Sequence, residues 1–243
     1  MPKRKQRATK GKITEVKKEK PTAIKDQGKG YATKKKLVLT AKTDNQKELF
    51  KSIKNNIITV ASGPPGSGKT LISVYSALDS FFKQQYGRII FTRPCIEADG
   101  ENLGFLPGDL NEKISPYMMP IFDFLSDYMD KMTIERMILD GKIMTIPLAF
   151  MRGMTFRNAF VLLDECQNTT PKQMKMFLTR IGENSKVVMT GDPNQSDIRG
   201  TNGLVDIVTR LNNISNIGII KLQKEDVIRH EIVKLIEDRY DGV

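Results

Sequence analysis

Tryptophan is absent from this 243-residue chain, histidine occurs once and cysteine twice. Cys95 and Cys166 show no metal-ligand spacing, and His230 is the only imidazole available to join them, so a zinc site is not expected. Two cysteines suit a reducing compartment. No apolar run reaches the about 18 residues that a membrane-spanning helix needs. The N-terminus is basic but has no apolar segment of the secretory type. The cytoplasm is the expected location.

Acidic residues are scarce only at the start. Residues 1–43 carry 15 Lys and Arg against 3 Asp and Glu, whereas residues 44–243 carry 24 against 25. The net charge of +11 therefore resides in an N-terminal arm, and the body is nearly neutral. Few large apolar side chains occur in the arm, too few to offset the entropy of ordering it, so disorder is expected over 1–43. Two readings of its charge stay open: sequence-independent contact with nucleic-acid phosphates, or a solubilising tail.

What is present is organised around Gly63-Pro64-Pro65-Gly66-Ser67-Gly68-Lys69-Thr70, a complete G-x-x-x-x-G-K-[ST] P-loop. Glycines allow backbone N–H groups to converge on phosphate without Cβ clashes. Lys69 supplies a cation for the β- and γ-phosphates, and Thr70 a hydroxyl for Mg²⁺. The context fits. Residues 56–62 read as a buried strand, and from about Lys69 to Lys83 the apolar residues Leu71, Val74, Tyr75 and Leu78 recur at helical spacing. That helix directs its N-terminal dipole at the anion.

A second apolar strand, residues 159–163, ends in Asp164-Glu165. Asp164 is the candidate for the Mg²⁺ shell, and Glu165 for orienting or deprotonating an attacking water. A third, residues 186–190, ends in Gly191-Asp192-Pro193-Asn194-Gln195. Gln195 is the candidate γ-phosphate sensor there, and Asp192 a support for the loop. Residues 87–92 read as another strand, followed by Arg93, a candidate for phosphate or nucleic acid and equally for a structural ion pair.

Around these, Asp44 is the expected N-cap of a helix, with Gln46 either reaching the adenine edge, by analogy with helicase-type ATPases, or lying on the surface. Residues 95–157 read as a helical insertion. One helix runs over 114–130, broken or kinked by Pro116 and Pro120, another over 133–139, and a strand over 143–148. Eight of the twelve methionines fall between Met118 and Met154, more simply a core filling than a contact surface. Residues 37–39 suggest a short strand. A closing helix is expected from Asp226, with Ile228, Ile232, Leu235 and Ile236 inward. Arg229 is either a γ-phosphate cation or a surface arginine, and His230 reads as structural.

The ordered series of motifs resembles a PhoH family ATPase over roughly residues 44–240. It includes the P-loop, Arg93-Pro94, the segments 103–108, 112–114 and 147–153, Leu163-Asp164-Glu165-Cys166-Gln167-Asn168-Thr169-Thr170, the segment 173–182, Thr190-Gly191-Asp192 and 226–230. That family is similar to the first RecA-like core of superfamily 1 helicases. The resemblance implies an α/β fold, a RecA-like, mostly parallel P-loop sheet with helices on both faces, over residues 44–243. It also implies ATP binding, Mg²⁺-dependent hydrolysis, an RNA-related role and oligomeric rings, often hexamers. Some members carry a ribonuclease domain, for which residues 1–43 are too short, so nuclease activity is not expected. The short form resembles phosphate-starvation-type proteins of bacteria and their viruses. Cys166 stands where alanine is usual, and no second RecA-like domain supplies an arginine. Arg229 in cis, or a finger from a neighbouring subunit, which is the favoured reading, would have to do so. Two rival classes are an ATP-gated nucleic-acid-binding assembly that does not hydrolyse, and a small-molecule kinase. Glu165 and Gln195 count against both.

Overall fold

Short β-branched and apolar runs become strands whose side chains alternate between two cores. The computed structural model describes residues 30–33, 37–94 and 110–241, without the side chains of 110–117 and several in the last helix. Expectations for most of the basic arm and the motif segment 103–108 lie outside the described residues. Six strands form one sheet in the order β3-β2-β4-β5-β1-β6, every pairing parallel. They are β1 (Ile58–Ser62), β2 (Arg88–Thr92), β3 (Ile143–Thr145), β4 (Ala159–Leu163), β5 (Ser185–Gly191) and β6 (Ile217–Lys221).

Along β4, Phe160 and Leu162 enter one core while Ala159, Val161 and Leu163 enter the other, the two-residue period of a strand. The first core is closed by α1 (Asp44–Asn55), α2 (Lys69–Phe82), α3 (Leu110–Tyr128) and α4 (Lys131–Leu139), and the second by α5 (Pro171–Leu178) and α6 (Gly203–Arg210). The expected α/β architecture with helices on both faces is present. Thr92, Leu163, Met189, Val60 and Ile219 stand in one transverse row; β2 and β4 end there and β1, β5 and β6 two residues beyond, so the carboxyl ends of five strands share one edge.

Local signals set the helix ends. Thr43, not the expected Asp44, caps α1 by accepting from the Gln46 N–H, and Thr170 forms a capping box with Gln173 before Pro171. The buried ammonium of Lys186, on β5, donates to the carbonyls of Ile53, Lys54 and Asn56 and so covers the end of α1. At Gly218 a Cβ would lie 2.0 Å from Ser52 Oγ, which is why α1 crosses so close to β6.

Several expectations give way. Tyr31 is only 2% exposed and donates to Asp140 Oδ2 at 2.6 Å, so part of the segment read as arm belongs to the body. Residues 37–39 form no strand; Leu37 and Leu39 pack on the first core and Tyr75 donates to the Leu37 carbonyl. Helix α3 is not broken at Pro116 or Pro120 and continues as one element to Tyr128. Met118, Ile121 and Leu125 bury into the first core, and that packing outweighs two lost amide donors. The strand in the insertion is shorter than expected and joins the sheet edge beside β2. The last helix, α7 (Glu231–Asp241), starts five residues later than expected, because Asp226 is drawn into a 3-10 turn (Lys224–Asp226). Ile228, Ile232, Leu235 and Ile236 are exposed, contrary to the inward face expected. No helix among the described residues is long and apolar enough to cross a membrane.

Candidate nucleotide-binding site

Parallel pairing brings every loop after a strand tip to the same edge, where open α/β sheets place ligands. The row beyond Leu163 and Met189 holds Asp164 and Thr190, facing the same side as α2. There Asp164, almost fully buried, accepts from Thr70 Oγ1 at 2.9 Å and from Thr190 Oγ1. Its other oxygen takes Arg93, with Nε at 3.0 Å and Nη2 closer still. Of the two readings of Arg93, the structure has the ion pair.

The P-loop leaves β1 at Gly63 and enters α2 at Lys69. Gly66 and Gly68 have φ of 78° and 90°, conformations that favour glycine. Lys69 Nζ donates to the carbonyls of Gly63 and Pro64 at 2.6 and 2.7 Å, and Ser67 Oγ to Pro64 O at 2.7 Å. Burial lowers the Lys69 pKa, and the carboxylates of Asp192, Glu165 and Asp164 act in the opposite direction.

Gln46 does not line the cavity. Its Nε2 donates to Ser67 O at 3.0 Å and its Oε1 accepts from Lys42 N at 2.8 Å, so it braces the P-loop from α1. Arg229 lies in cis at the loop's other side: a Cβ on Gly66 would be 2.4 Å from its Nε, and Ile228 N donates to Gly66 O at 3.1 Å. The turn that presents Arg229 is held by Asp226, which accepts from Gln223 N at 2.7 Å and Asn45 Nδ2 at 2.8 Å. Burial alone would raise the Asp226 pKa, but these bonds and one from Thr43 bring it below the usual carboxylate value.

Glu165 adopts φ 57° just past β4. Gln167, which the motif reading passed over, holds it: Nε2 donates to Glu165 Oε2 at 2.6 Å and to Gln195 O at 3.3 Å, while Oε1 accepts from Asp192 N at 3.1 Å. A Cβ at Gly191 would lie 2.5 Å from that Oε1, so a larger residue there would displace the amide. One amide thus joins the loops after β4 and β5. The only sequence signal was its place two residues after Glu165. Thr190 and Phe124 were also missed; Phe124, from α3, lines the cavity.

The cavity holds about 290 Å³ and brings Lys69, Thr70, Asp164, Glu165, Asp192 and Gln195 around one space. A hydroxyl and a carboxylate at its base are hard oxygen donors of the kind that suit Mg²⁺, and the loop amides and ammonium suit phosphate. The residues present fit both groups.

A sequence model of the family described as PhoH-like protein matches residues 38–241. The chain belongs to the PhoH-like protein family. It is 49% identical over 201 residues to a PhoH-like protein of Mycobacterium tuberculosis (strain ATCC 25618 / H37Rv), covering 82% of this chain and 57% of that protein. To a PhoH-like protein of Bacillus subtilis (strain 168) it is 45% identical over 205 residues, covering 84% and 64%. This PhoH-like chain therefore spans somewhat over half the length of these relatives. Among solved structures, the large terminase of a thermophilic bacteriophage is similar with a TM-score of 0.50 at 12% identity, covering 81% of this chain and 50% of that one. That likeness concerns the fold alone.

Proposed function

We propose that this PhoH-like chain binds ATP and hydrolyses it, acting on RNA or another single-stranded nucleic acid as part of a homo-oligomeric, six-fold ring in the cytoplasm. The observation that carries the hydrolytic reading is the contact of Thr70 Oγ1 with Asp164 Oδ1 at 2.9 Å, with Glu165 at the next position on the same cavity wall. A P-loop hydroxyl beside a strand-tip acidic pair is what phosphoryl transfer to water requires.

Lys69 and the loop amides would hold the β- and γ-phosphates. Thr70 and Asp164 would hold Mg²⁺, which supplies charge compensation at the phosphate oxygens. Glu165 orients a water and accepts its proton as the water oxygen bonds to the γ-phosphorus and the bond to the bridging oxygen breaks. The products are ADP and phosphate. Gln195 reports the state of that water to the loop after β5, and Arg229 offsets charge that develops on the transferred group. Its place against Gly66 favours supply in cis.

The basic character of residues 1–43 supports nucleic acid as the partner, through phosphate contacts that weaken with salt. Hydrolysis by the wild type and by Glu165→Gln, with and without single-stranded RNA and DNA, tests the reading. Turnover that requires Glu165 and rises with RNA is expected. Equal turnover in both proteins would remove Glu165 from its role, and no turnover in either would favour a nucleotide-gated binding assembly. Arg229→Ala should abolish turnover while nucleotide binding persists; lost binding with intact assembly would remove Arg229 from the transition state.

A further inference from the structure

After β3 the chain makes a 3-10 turn, Leu148–Met151. Leu148 and Met151, three residues apart, bury together in the second core with Met174 and Phe177 of α5, which packs against the turn. Those two side chains meet the packing needs of the turn. Phe150, between them, is 52% exposed. One exposed aromatic side chain by itself marks nothing; the charge around this one does.

Residues 141–182 contain six Lys and Arg, and their only two acids are Asp164 and Glu165, which line the nucleotide cavity. Residues 44–243 as a whole are balanced, at 24 against 25. Arg152, next after the turn, and Lys172 and Lys175 on α5 are exposed. Among the described residues no carboxylate pairs with any of the three. The turn and the helix it rests on therefore present an aromatic ring and three available cations, and contribute no acid to that surface. Single strands are held in this way, by bases stacked on aromatic rings and phosphates met by cations. A duplex keeps its bases stacked on one another and has none to offer the ring.

The position suits such a partner. The turn follows a parallel strand, so it lies at the carboxyl edge that also carries the candidate nucleotide site. Leu148 N donates to the carbonyl of Arg93 at 3.1 Å, and Arg93 is the residue paired with Asp164.

We infer that the turn at Phe150 and the exposed lysines of α5 bind single-stranded nucleic acid, with one base stacked on the Phe150 ring and phosphates along the strand met by Arg152, Lys172 and Lys175. This rests on the nucleic-acid reading above and names its surface.

The test measures binding of the full chain to a single-stranded RNA, a DNA of the same sequence and an abasic strand of the same length, by fluorescence anisotropy over a series of salt concentrations. Phe150→Ala should bind RNA or DNA about ten-fold more weakly at every salt concentration, because a stacked base releases no counterions, and should bind the abasic strand as the wild type does. Lys172→Gln with Lys175→Gln should instead flatten the dependence on salt. The chain has no tryptophan, so Phe150→Trp introduces a single indole. That variant should keep its affinity, and its fluorescence should be quenched as the strand saturates it. Phe150→Ala should melt with the wild type, since the side chain it removes is half exposed. Equal binding of RNA by the wild type and Phe150→Ala, or unchanged fluorescence of Phe150→Trp at saturating RNA, would overturn this surface and leave nucleic-acid contact to other residues. A wild type that binds neither RNA nor DNA would overturn the nucleic-acid reading itself and this surface with it.

Discussion

Gln167 Nε2 donates to Glu165 Oε2 at 2.6 Å, and the same side chain accepts from Asp192 N at 3.1 Å. The carboxylate assigned to water is thereby fixed to the loop that carries Gln195. Replacing Gln167 with alanine frees both. Turnover should fall about 10²-fold, the scale of a small misplacement of a reacting group, while nucleotide affinity stays within about three-fold. Single-turnover hydrolysis beside equilibrium nucleotide binding checks this split; loss of binding in proportion to turnover would make Gln167 a purely structural support.

Arg93 and Asp164 form a nearly buried ion pair. Removing one partner leaves a charge without compensation, and Arg93→Met should destabilise the fold by about 3 kcal/mol. Asp164→Asn in the same chain should recover much of that loss, measured as a coupling in a double-mutant cycle by denaturant unfolding. Additive effects would mean that the pair is not what Arg93 contributes.

Gly66 faces Arg229 so closely that a Cβ would lie 2.4 Å from Nε, at a φ of 78° that strains any side chain. Gly66→Ala should abolish nucleotide binding. Adding Arg229→Ala removes the clash but not the backbone strain, so only part of the binding should return. Calorimetric titration with ATP would distinguish partial recovery from the full recovery expected if contact alone mattered.

The Asp226 carboxylate is held below its ordinary value of 3.8 by the Gln223 amide, Thr43 and Asn45 against the opposing effect of burial. Because the folded pKa is the lower one, its contribution is fully present above pH 3.8 and disappears as the pH falls through the folded value. Asp226→Ala should therefore cost about 2 kcal/mol at neutral pH. The gap in melting temperature between the two proteins should narrow only below pH 3.8. A constant gap down to lower pH would show that the carboxylate charge is not what holds this turn.

Much of the site was legible because its signals are local. The P-loop is eight consecutive residues with fixed glycine, lysine and hydroxyl positions, and Asp164 and Glu165 follow a short apolar run that reads as a buried strand. Contacts across the sheet were not legible. Thr190 reaches Asp164 because β5 lies beside β4 in register, and Gln46 reaches Ser67 because α1 crosses beneath the P-loop. Neither separation has a periodicity that a reader of the sequence can detect.

The sequence by itself determined the central strands, their tips and the residue types placed on them, since these follow from spacing, residue type and backbone freedom. Only the tertiary structure decided which partner each group meets: Arg93 on Asp164, Gln167 between two loops, Arg229 over Gly66. The same division explains α7. Periodicity gives the helix an apolar face, but whether that face is covered depends on what packs against it, and within this chain α7 keeps Ile232, Leu235 and Ile236 open to solvent.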